Sequence, residues 1–246
     1  MKNFLFVLII MALVVSSCGN DENPSPINDE SFTDMEALTL TDYRDDNIYK
    51  IVKIGDQVWM AENLKYLPSV VGPFSQSDSV AHYYVYDYDG TDVAAAKSTE
   101  NYNNYGVMYN WNAINPGGTG SEATPSGVRG ICPSGWHLPS YAEWEQLFNH
   151  LGGTNEAGGK LKQKGTTHWK SPNWEATNQS GFSGLPGGIL WSQSFIYLKN
   201  RGNFWSVTEE GPYKDVLVYR QDNDRSEVLK RSFGKEMAMC VRCVMD

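Results

Sequence analysis

The residues in this sequence with the clearest capacity for chemistry are its four cysteines. The first, Cys18, follows an apolar run over residues 4–15 and two serines. One lysine, about a dozen apolar residues and small residues before a cut site are the parts of a secretory signal. The run is shorter than the roughly 20 apolar residues that a membrane span needs. We therefore predict that residues 1–17 form a cleaved signal peptide.

The four residues that end this signal, Val15-Ser16-Ser17-Cys18, resemble the bacterial lipobox. In a lipobox the cysteine thiol carries a diacylglycerol before cleavage, so the resemblance makes Cys18 a lipid-attachment site. A single acyl chain holds a protein to a membrane only marginally, and lipoproteins of this kind carry three. We predict that Cys18 anchors the chain to a membrane. The alternative is an ordinary signal peptide that contains a cysteine.

Small, acidic and proline residues follow the predicted anchor. Residues 19–26 show no apolar periodicity, which is typical of a flexible tether. We extend this acidic tether over residues 18–41, ahead of one domain at residues 42–246. Asp21-Glu22 resembles the acidic export signal that sends some Bacteroidetes lipoproteins to the outer face of the outer membrane. We expect an outer-membrane protein exposed at the cell surface; a generic linker and the periplasmic face are the alternatives.

The other cysteines are Cys132, Cys240 and Cys243. Outside the cytoplasm a disulfide is the default state of paired cysteines, and three thiols leave one over, so the pairing stays open at this point. Cys240 and Cys243 also have the C-x-x-C spacing of redox and zinc sites. Zinc would need two more ligands, and the four histidines show no ligand spacing. These observations favour a disulfide over a metal.

A run of aspartates could supply hard oxygen ligands. Asp87, Asp89 and Asp92 surround Gly90 in a D-x-D-G-x-D arrangement, which is compatible with calcium. The twelve-residue calcium loop with a closing bidentate glutamate is missing, because Ser98 occupies that position. A solvated turn is the alternative. Calcium is thus the one cofactor that we consider, and otherwise we predict none.

No set of catalytic residues is recognisable. The histidines His82, His137, His150 and His168 show no facial-triad arrangement. A Ser/His/Asp set, a phosphate-binding loop and an H-E-x-x-H motif are all missing from the sequence. We therefore predict that the protein is not an enzyme. The formal net charge of −9 also argues against nucleic acid as a partner, because nucleic acid binds clustered basic surfaces.

Two elements that would position these residues have clear patterns. Alternating apolar residues over 49–54, a Gly-Asp turn and a second apolar run over 57–60 predict a β-hairpin. Ser140 and Glu143 form a capping box, which predicts a helix start. Apolar residues at helical spacing follow and end at two glycines: Trp144, Leu147, Phe148 and Leu151. A shorter helix is predicted around residues 160–164, and further strands are predicted over residues 83–88, 105–111, 204–207, 216–219 and 239–244.

A long loop-like region over residues 165–203 is rich in glycine and tryptophan. Loops of this length are ordered by their own aromatic residues and often form a binding surface. We predict that Trp169, Trp174 and Trp191 contact a ligand, by stacking on a sugar face or by anchoring a protein. The alternative is that these indoles form the core of the loop.

Several longer segments resemble the Fibrobacter succinogenes major paralogous domain over about residues 42–246. They are residues 54–64, 105–111, 132–140, 204–206 and 241–244. The resemblance implies an α+β domain with the C-type-lectin-like fold, which is shared with formylglycine-generating enzyme. That fold has a small antiparallel sheet, one or two helices and a long loop region. The resemblance also implies a disulfide between Cys132 and Cys243.

The sequence departs from the functional members of that fold. The copper-binding cysteine pair of formylglycine-generating enzyme is missing, so Cys240 is an extra thiol, and the calcium motifs of sugar-binding lectins are missing too. We therefore favour a non-enzymatic binding domain that recognises a glycan or a protein at the cell surface. The alternatives are a metal-dependent enzyme related to formylglycine-generating enzyme, and a structural envelope component in which Cys240 pairs between chains.

Overall fold

The computed structural model describes residues 31–246. The predicted signal peptide, Cys18 and the tether up to residue 30 lie outside the described residues. Residues 31–41 were predicted as tether, but residues 31–34 and 39–42 form two short strands that pair with each other, and Leu40 of the second strand is fully buried. None of the described helices has the length and hydrophobicity that crossing a membrane requires.

The strands are β1 (Ser31–Asp34), β2 (Thr39–Asp42), β3 (Asn47–Ile54), β4 (Gln57–Met60), β5 (Tyr83–Tyr84), β6 (Met108–Tyr109), β7 (Trp136–His137), β8 (Ile189–Trp191), β9 (Ser194–Ile196), β10 (Arg201–Glu210), β11 (Asp215–Asp222), β12 (Val228–Phe233) and β13 (Val244–Met245). The helices are α1 (Val93–Lys97), α2 (Glu100–Tyr105), α3 (Trp111–Ile114), α4 (Tyr141–His150) and α5 (Thr154–Leu161), and Pro73–Ser75 forms a 3-10 turn.

Two antiparallel sheets organise the described residues. The larger has the strand order β1-β2-β3-β4-β13-β7, and the second has the order β10-β11-β12. Two small ribbons, β5-β6 and β8-β9, complete the β-structure. Mixed short helices and antiparallel sheets confirm the predicted α+β class, with more helices than the one or two expected.

The predicted hairpin is confirmed as β3 and β4. Val52 pairs with Trp59, and Ile54 pairs with Gln57 across a tight turn. Gly55 occupies that turn with φ +61°, a conformation that side chains rarely adopt. The fully buried Tyr49 and the nearly buried Ile51 face the main core.

The capped helix is confirmed as α4. Ser140 Oγ accepts from the backbone N–H of Glu143, and the Glu143 carboxylate accepts from the backbone N–H of Ser140. Helix α5 covers residues 154–161 and not 160–164 as predicted. It ends at Leu161 because the backbone of Lys162 is extended and pairs with Gly184 of the long loop.

Three predicted strands are shorter in the structure, because their backbones leave the ladder after one or two pairs. Tyr83–Tyr84 pairs only with Met108–Tyr109. Of residues 239–244, Val244 alone belongs to a ladder, while Met239 and Cys240 make single bridges to Tyr109 and Phe204. Residues 239–244 therefore pass from one element to the next and pair briefly with each of them.

The predicted disulfide between Cys132 and Cys243 is confirmed. The two Cα atoms lie 6.0 Å apart, and both cysteines are fully buried in the main core. This bridge ties the segment ahead of β7 to the segment ahead of β13. A second apolar cluster packs α4 against the hairpin and the β10-β11-β12 sheet; it is built around Trp59, Trp144, Phe148 and Tyr219.

Candidate ligand-binding cleft beside the long loop

A cleft of about 500 Å³ opens where the β3-β4 hairpin, α2 and the long loop meet. Its apolar part includes Val52 of the hairpin and Leu185 of the loop. Its polar part carries an ammonium, a carboxylate, three amides, an imidazole and a hydroxyl: Lys50, Glu62, Asn103, Asn104, Gln163, His168 and Ser183. The cleft therefore offers hydrogen-bond donors and acceptors next to an apolar surface.

The loop side of the cleft carries an oriented imidazole. His168 Nδ1 lies 2.6 Å from Gln163 Oε1, and the imidazole meets the Tyr105 ring edge-on with 5.9 Å between centroids. Because an amide oxygen only accepts, Nδ1 carries the hydrogen in this pair. The imidazole is therefore held in one orientation at the cleft wall.

Three polar groups on the opposite side are also held in place. Glu62 Oε1 accepts from the backbone N–H of Lys50 at 3.2 Å, and Glu62 Oε2 lies 3.6 Å from Lys65 Nζ. On α2, Asn104 Nδ2 donates to Glu100 Oε1 at 3.2 Å. The Asn103 amide donates to Thr99 O at 2.9 Å. Each of these groups keeps further hydrogen-bonding capacity for a ligand.

The cleft wall rests on Arg242, which is fully buried. Its guanidinium donates to Met60 O at 2.9 Å, to Phe182 O at 2.8 Å and to Ser183 O at 3.0 Å. Arg242 Nε donates to the side-chain oxygen of Asn63 at 2.7 Å. Burial lowers the pKa of Arg242 to about 9, because no water solvates the charge. The guanidinium thus fixes the loop to the end of β4.

A second buried cation fixes the other side of the loop. Lys162 Nζ donates to three backbone carbonyls, Trp174 O at 2.9 Å, Asp222 O at 3.0 Å and Arg225 O at 2.7 Å. Burial lowers the pKa of Lys162 to about 8. All three ammonium donors are engaged, so Lys162 connects the loop to the turn between β11 and β12.

The three predicted ligand-binding tryptophans occupy different environments. Trp169 is 1% exposed, and its Nε1 donates to Gly184 O at 3.0 Å. It stabilises the loop from inside and offers no face to a ligand, which corrects the prediction for this residue. Trp174 and Trp191 are 53% and 43% exposed, and neither lines the cleft. The Trp191 ring packs against Phe233.

The predicted calcium ligands do not converge. Asp92 caps α1 by accepting from the backbone N–H groups of Ala94 and Ala95. Across residues 31–246, no three His, Cys, Asp or Glu side chains are grouped so that they could hold a metal ion. The described residues therefore give no support to calcium at Asp87, Asp89 and Asp92, and that site stays a prediction.

The two other residues with possible chemistry, His137 and Cys240, are buried inside the fold. His137 Nε2 lies 2.7 Å from Glu143 Oε1, and its Nδ1 lies 2.7 Å from Asp246 Oδ1. Cys240 is 1% exposed, and burial raises the pKa of its thiol to about 12. The thiol is thus enclosed within the described fold, and the pairing of Cys240 between chains stays a prediction.

Sequence reasoning missed most of the cleft. Its polar residues come from three distant segments, and apart from His168 none of them belongs to a pattern with a chemical meaning. The one signal in the sequence was the length of the loop. It predicted that a binding surface exists but did not indicate where that surface lies.

Comparison with known proteins places the chain in a family. The model of the Fibrobacter succinogenes major domain matches residues 52–245, so the chain belongs to this family. No curated protein matches the chain, and no solved structure matches it.

Proposed function

We propose that this chain is a lipid-anchored protein of the outer membrane, exposed at the cell surface, whose C-type-lectin-like domain binds a glycan without catalysing a reaction. The lipobox-like segment that ends at Cys18 supports the anchor, and Asp21-Glu22 supports the surface location. Membership of the major-domain family is compatible with this role and names no ligand.

The observation that carries the glycan proposal is the composition of the cleft. A sugar hydroxyl both donates and accepts, and the cleft presents amides, a carboxylate and an imidazole around Val52 and Leu185. Ligand sites combine a few oriented polar groups with apolar surface in this way. Arg242 and Lys162 hold the walls in place before binding, which lowers the entropic cost of association.

The residues around the cleft also support binding without catalysis. Glycoside hydrolysis uses two carboxyl groups about 5–9.5 Å apart. Among residues 31–246, Glu62 is the only carboxylate that lines the cleft; it accepts from the backbone N–H of Lys50 and lies 3.6 Å from Lys65 Nζ. A bound glycan would therefore meet positioning groups and no acid–base pair.

The direct test is glycan-array screening of the mature protein, followed by calorimetry with the glycans that bind. Asn104→Ala and Gln163→Ala should each weaken binding by about 3- to 10-fold, the equivalent of one lost hydrogen bond. Asn112→Ala is the matched control, because Asn112 lies on α3 outside the cleft. Equal affinities for all three variants would remove the cleft as the binding site.

A protein ligand is the second candidate, and the exposure of Trp174 and Trp191 favours it, because exposed tryptophans are common anchors of protein contacts. Loss of a captured envelope protein on Trp174→Ala, with unchanged glycan affinity, would favour this candidate. Stoichiometric copper or iron in the purified protein would instead support a metal-dependent enzyme.

A further inference from the structure

The N-terminal part of the large sheet has two faces of opposite character. On one face Leu40 and Tyr49 are fully buried in the main core. Trp136 Nε1 donates to Thr33 Oγ1 at 3.1 Å, and Ser31 Oγ donates to Ser134 O. These contacts fix β1 and β2 rigidly to the domain, so the other face is held outward.

The outward face carries a row of side chains across three strands. Phe32 pairs with Thr41, and Thr41 pairs with Ile48, so the three side chains lie side by side. Phe32 is 55% exposed and Ile48 is 63% exposed. Tyr43, in the turn after β2, is 51% exposed. We name Phe32, Tyr43 and Ile48, with Thr41 between them, the outer strip.

The position of the outer strip in the chain indicates what covers it. Phe32 follows Cys18 by fourteen residues, and a fully extended chain of that length spans at most about 50 Å. A lipid anchor at Cys18 would hold the strip within that distance of the bilayer. Tethering raises the effective concentration of a surface for its partner, so a small apolar contact is sufficient for docking.

We infer that the outer strip docks on the lipid bilayer that carries the anchor, with Phe32 and Ile48 at the boundary of headgroups and acyl chains. The inference rests on the proposed lipid anchor. Acidic residues lie next to the strip in the β1-β2 and β2-β3 segments: Asp34, Glu36, Asp45 and Asp46. The strip therefore suits zwitterionic lipid better than anionic lipid.

The strip lies outside the part of the chain that defines the family, because the family match begins at residue 52. It also lies next to the cleft. Lys50, on the cleft wall, follows Ile48 by two residues, which is about 7 Å along a strand. Docking would therefore hold the cleft close to the membrane surface.

The test uses the lipidated mature protein in vesicles of phosphatidylethanolamine and phosphatidylcholine. Ile48→Trp places a fluorescent indole on the strip, and Tyr213→Trp is the matched control on an 89% exposed turn far along the chain. Because the chain already contains eight tryptophans, each spectrum is read as the difference from the wild type. With brominated phosphatidylcholine, the emission that I48W adds should shift to the blue and be quenched. The Y213W emission should be unchanged.

Flotation of the same vesicles separates the two proposals. Protein that floats with the vesicles while I48W stays unquenched would overturn the docking and leave the anchor standing. Protein that fails to float would overturn both. A blue shift of I48W that needs no vesicles and grows with protein concentration would assign the strip to a second copy of the chain, which also overturns the inference.

Discussion

At the residue scale, Arg242 shows how one side chain positions a binding wall. Its guanidinium connects Met60, Asn63, Phe182 and Ser183, which belong to the end of the hairpin and to the long loop. No described carboxylate lies within ion-pair distance of Arg242; its guanidinium is met by oxygen acceptors and by the Phe182 ring 4.6 Å away, and the more distant charge of Glu62 also favours its charged form. A charge buried in this way persists only when its hydrogen bonds are satisfied.

Arg242→Lys should therefore destabilise the domain by about 2–4 kcal/mol, because an ammonium has three donors and leaves buried oxygens without partners. Amides of residues 181–184 should exchange faster with deuterium. Arg231→Lys is the control, since Arg231 is exposed, and it should change stability by less than about 0.5 kcal/mol. Equal denaturant midpoints for the two variants would show that Arg242 does not fix the loop.

His137 is the second residue with a measurable consequence. Burial alone would lower its pKa, but hydrogen bonds and charge from Glu143 and Asp246 outweigh burial and raise the pKa above its ordinary value. The protonated imidazole therefore stabilises the folded state. This contribution is fully present below about pH 6.5, the ordinary pKa of histidine, and is lost as the pH rises through the raised folded-state pKa.

His137→Gln should lower the free energy of unfolding by about 1–3 kcal/mol at pH 6. The difference from the wild type should shrink towards pH 9, because the wild-type imidazole loses its proton as the pH rises through its raised pKa. Urea unfolding at both pH values measures this. Asp246→Asn removes one of the two carboxylates and should reduce the pH-dependent part. Parallel stability curves for the wild type and H137Q would contradict the role assigned to the imidazolium.

At the element scale, the disulfide joins the segments before β7 and β13, neither of which has a long ladder of its own. β13 pairs through Val244 with Trp59 and His137, and through Met245 with Trp136. Such short strands depend on the covalent bridge and on core packing for their position.

The double substitution Cys132→Ser and Cys243→Ser should lower the free energy of unfolding by about 2–4 kcal/mol. Cys240→Ala is the control, because it keeps the bridge and should cost clearly less. In the native protein a thiol reagent should label no cysteine until the chain unfolds, since Cys240 is buried with a raised pKa. Labelling of Cys132 or Cys243 in the native protein would show that these two cysteines are not joined by a disulfide.

Elements with a strong local pattern could be predicted from the sequence. Gly55 between two apolar runs located the hairpin, and Ser140 with Glu143 located the start of α4. Helices α1 to α3 have four to six residues each, too few to show helical periodicity, so their caps at Asp92, Thr99 and Asn110 passed unnoticed. Strand β13 and the short ribbons depend on partners far away in the chain, which a local pattern cannot reveal.

The candidate site was less predictable than the fold for a related reason. Tryptophans in a long loop suggest contact with a ligand, but only an exposed tryptophan can make that contact. Trp169 is buried. The cleft arises only when Glu62, Asn104 and His168 are brought together by tertiary contacts. No residue spacing in the sequence indicates that these three side chains lie close together.

At the scale of the whole molecule, the proposed anchor, the outer strip and the cleft form a consistent arrangement. The proposed anchor would bring the domain to the bilayer, docking through Phe32 and Ile48 would set its orientation, and the cleft lies about 7 Å further along β3. The net charge of −9 disfavours broad adhesion to anionic lipid, so the proposed docking would depend on apolar contact.

Hydrogen–deuterium exchange of the mature protein with an array-selected glycan tests most directly the proposal that the cleft beside the long loop binds a glycan. We predict protection of segments 103–104, 163–168 and 181–185 on binding, with no change around Trp191. Protection confined to other segments, or an array on which no glycan binds, would contradict the claim.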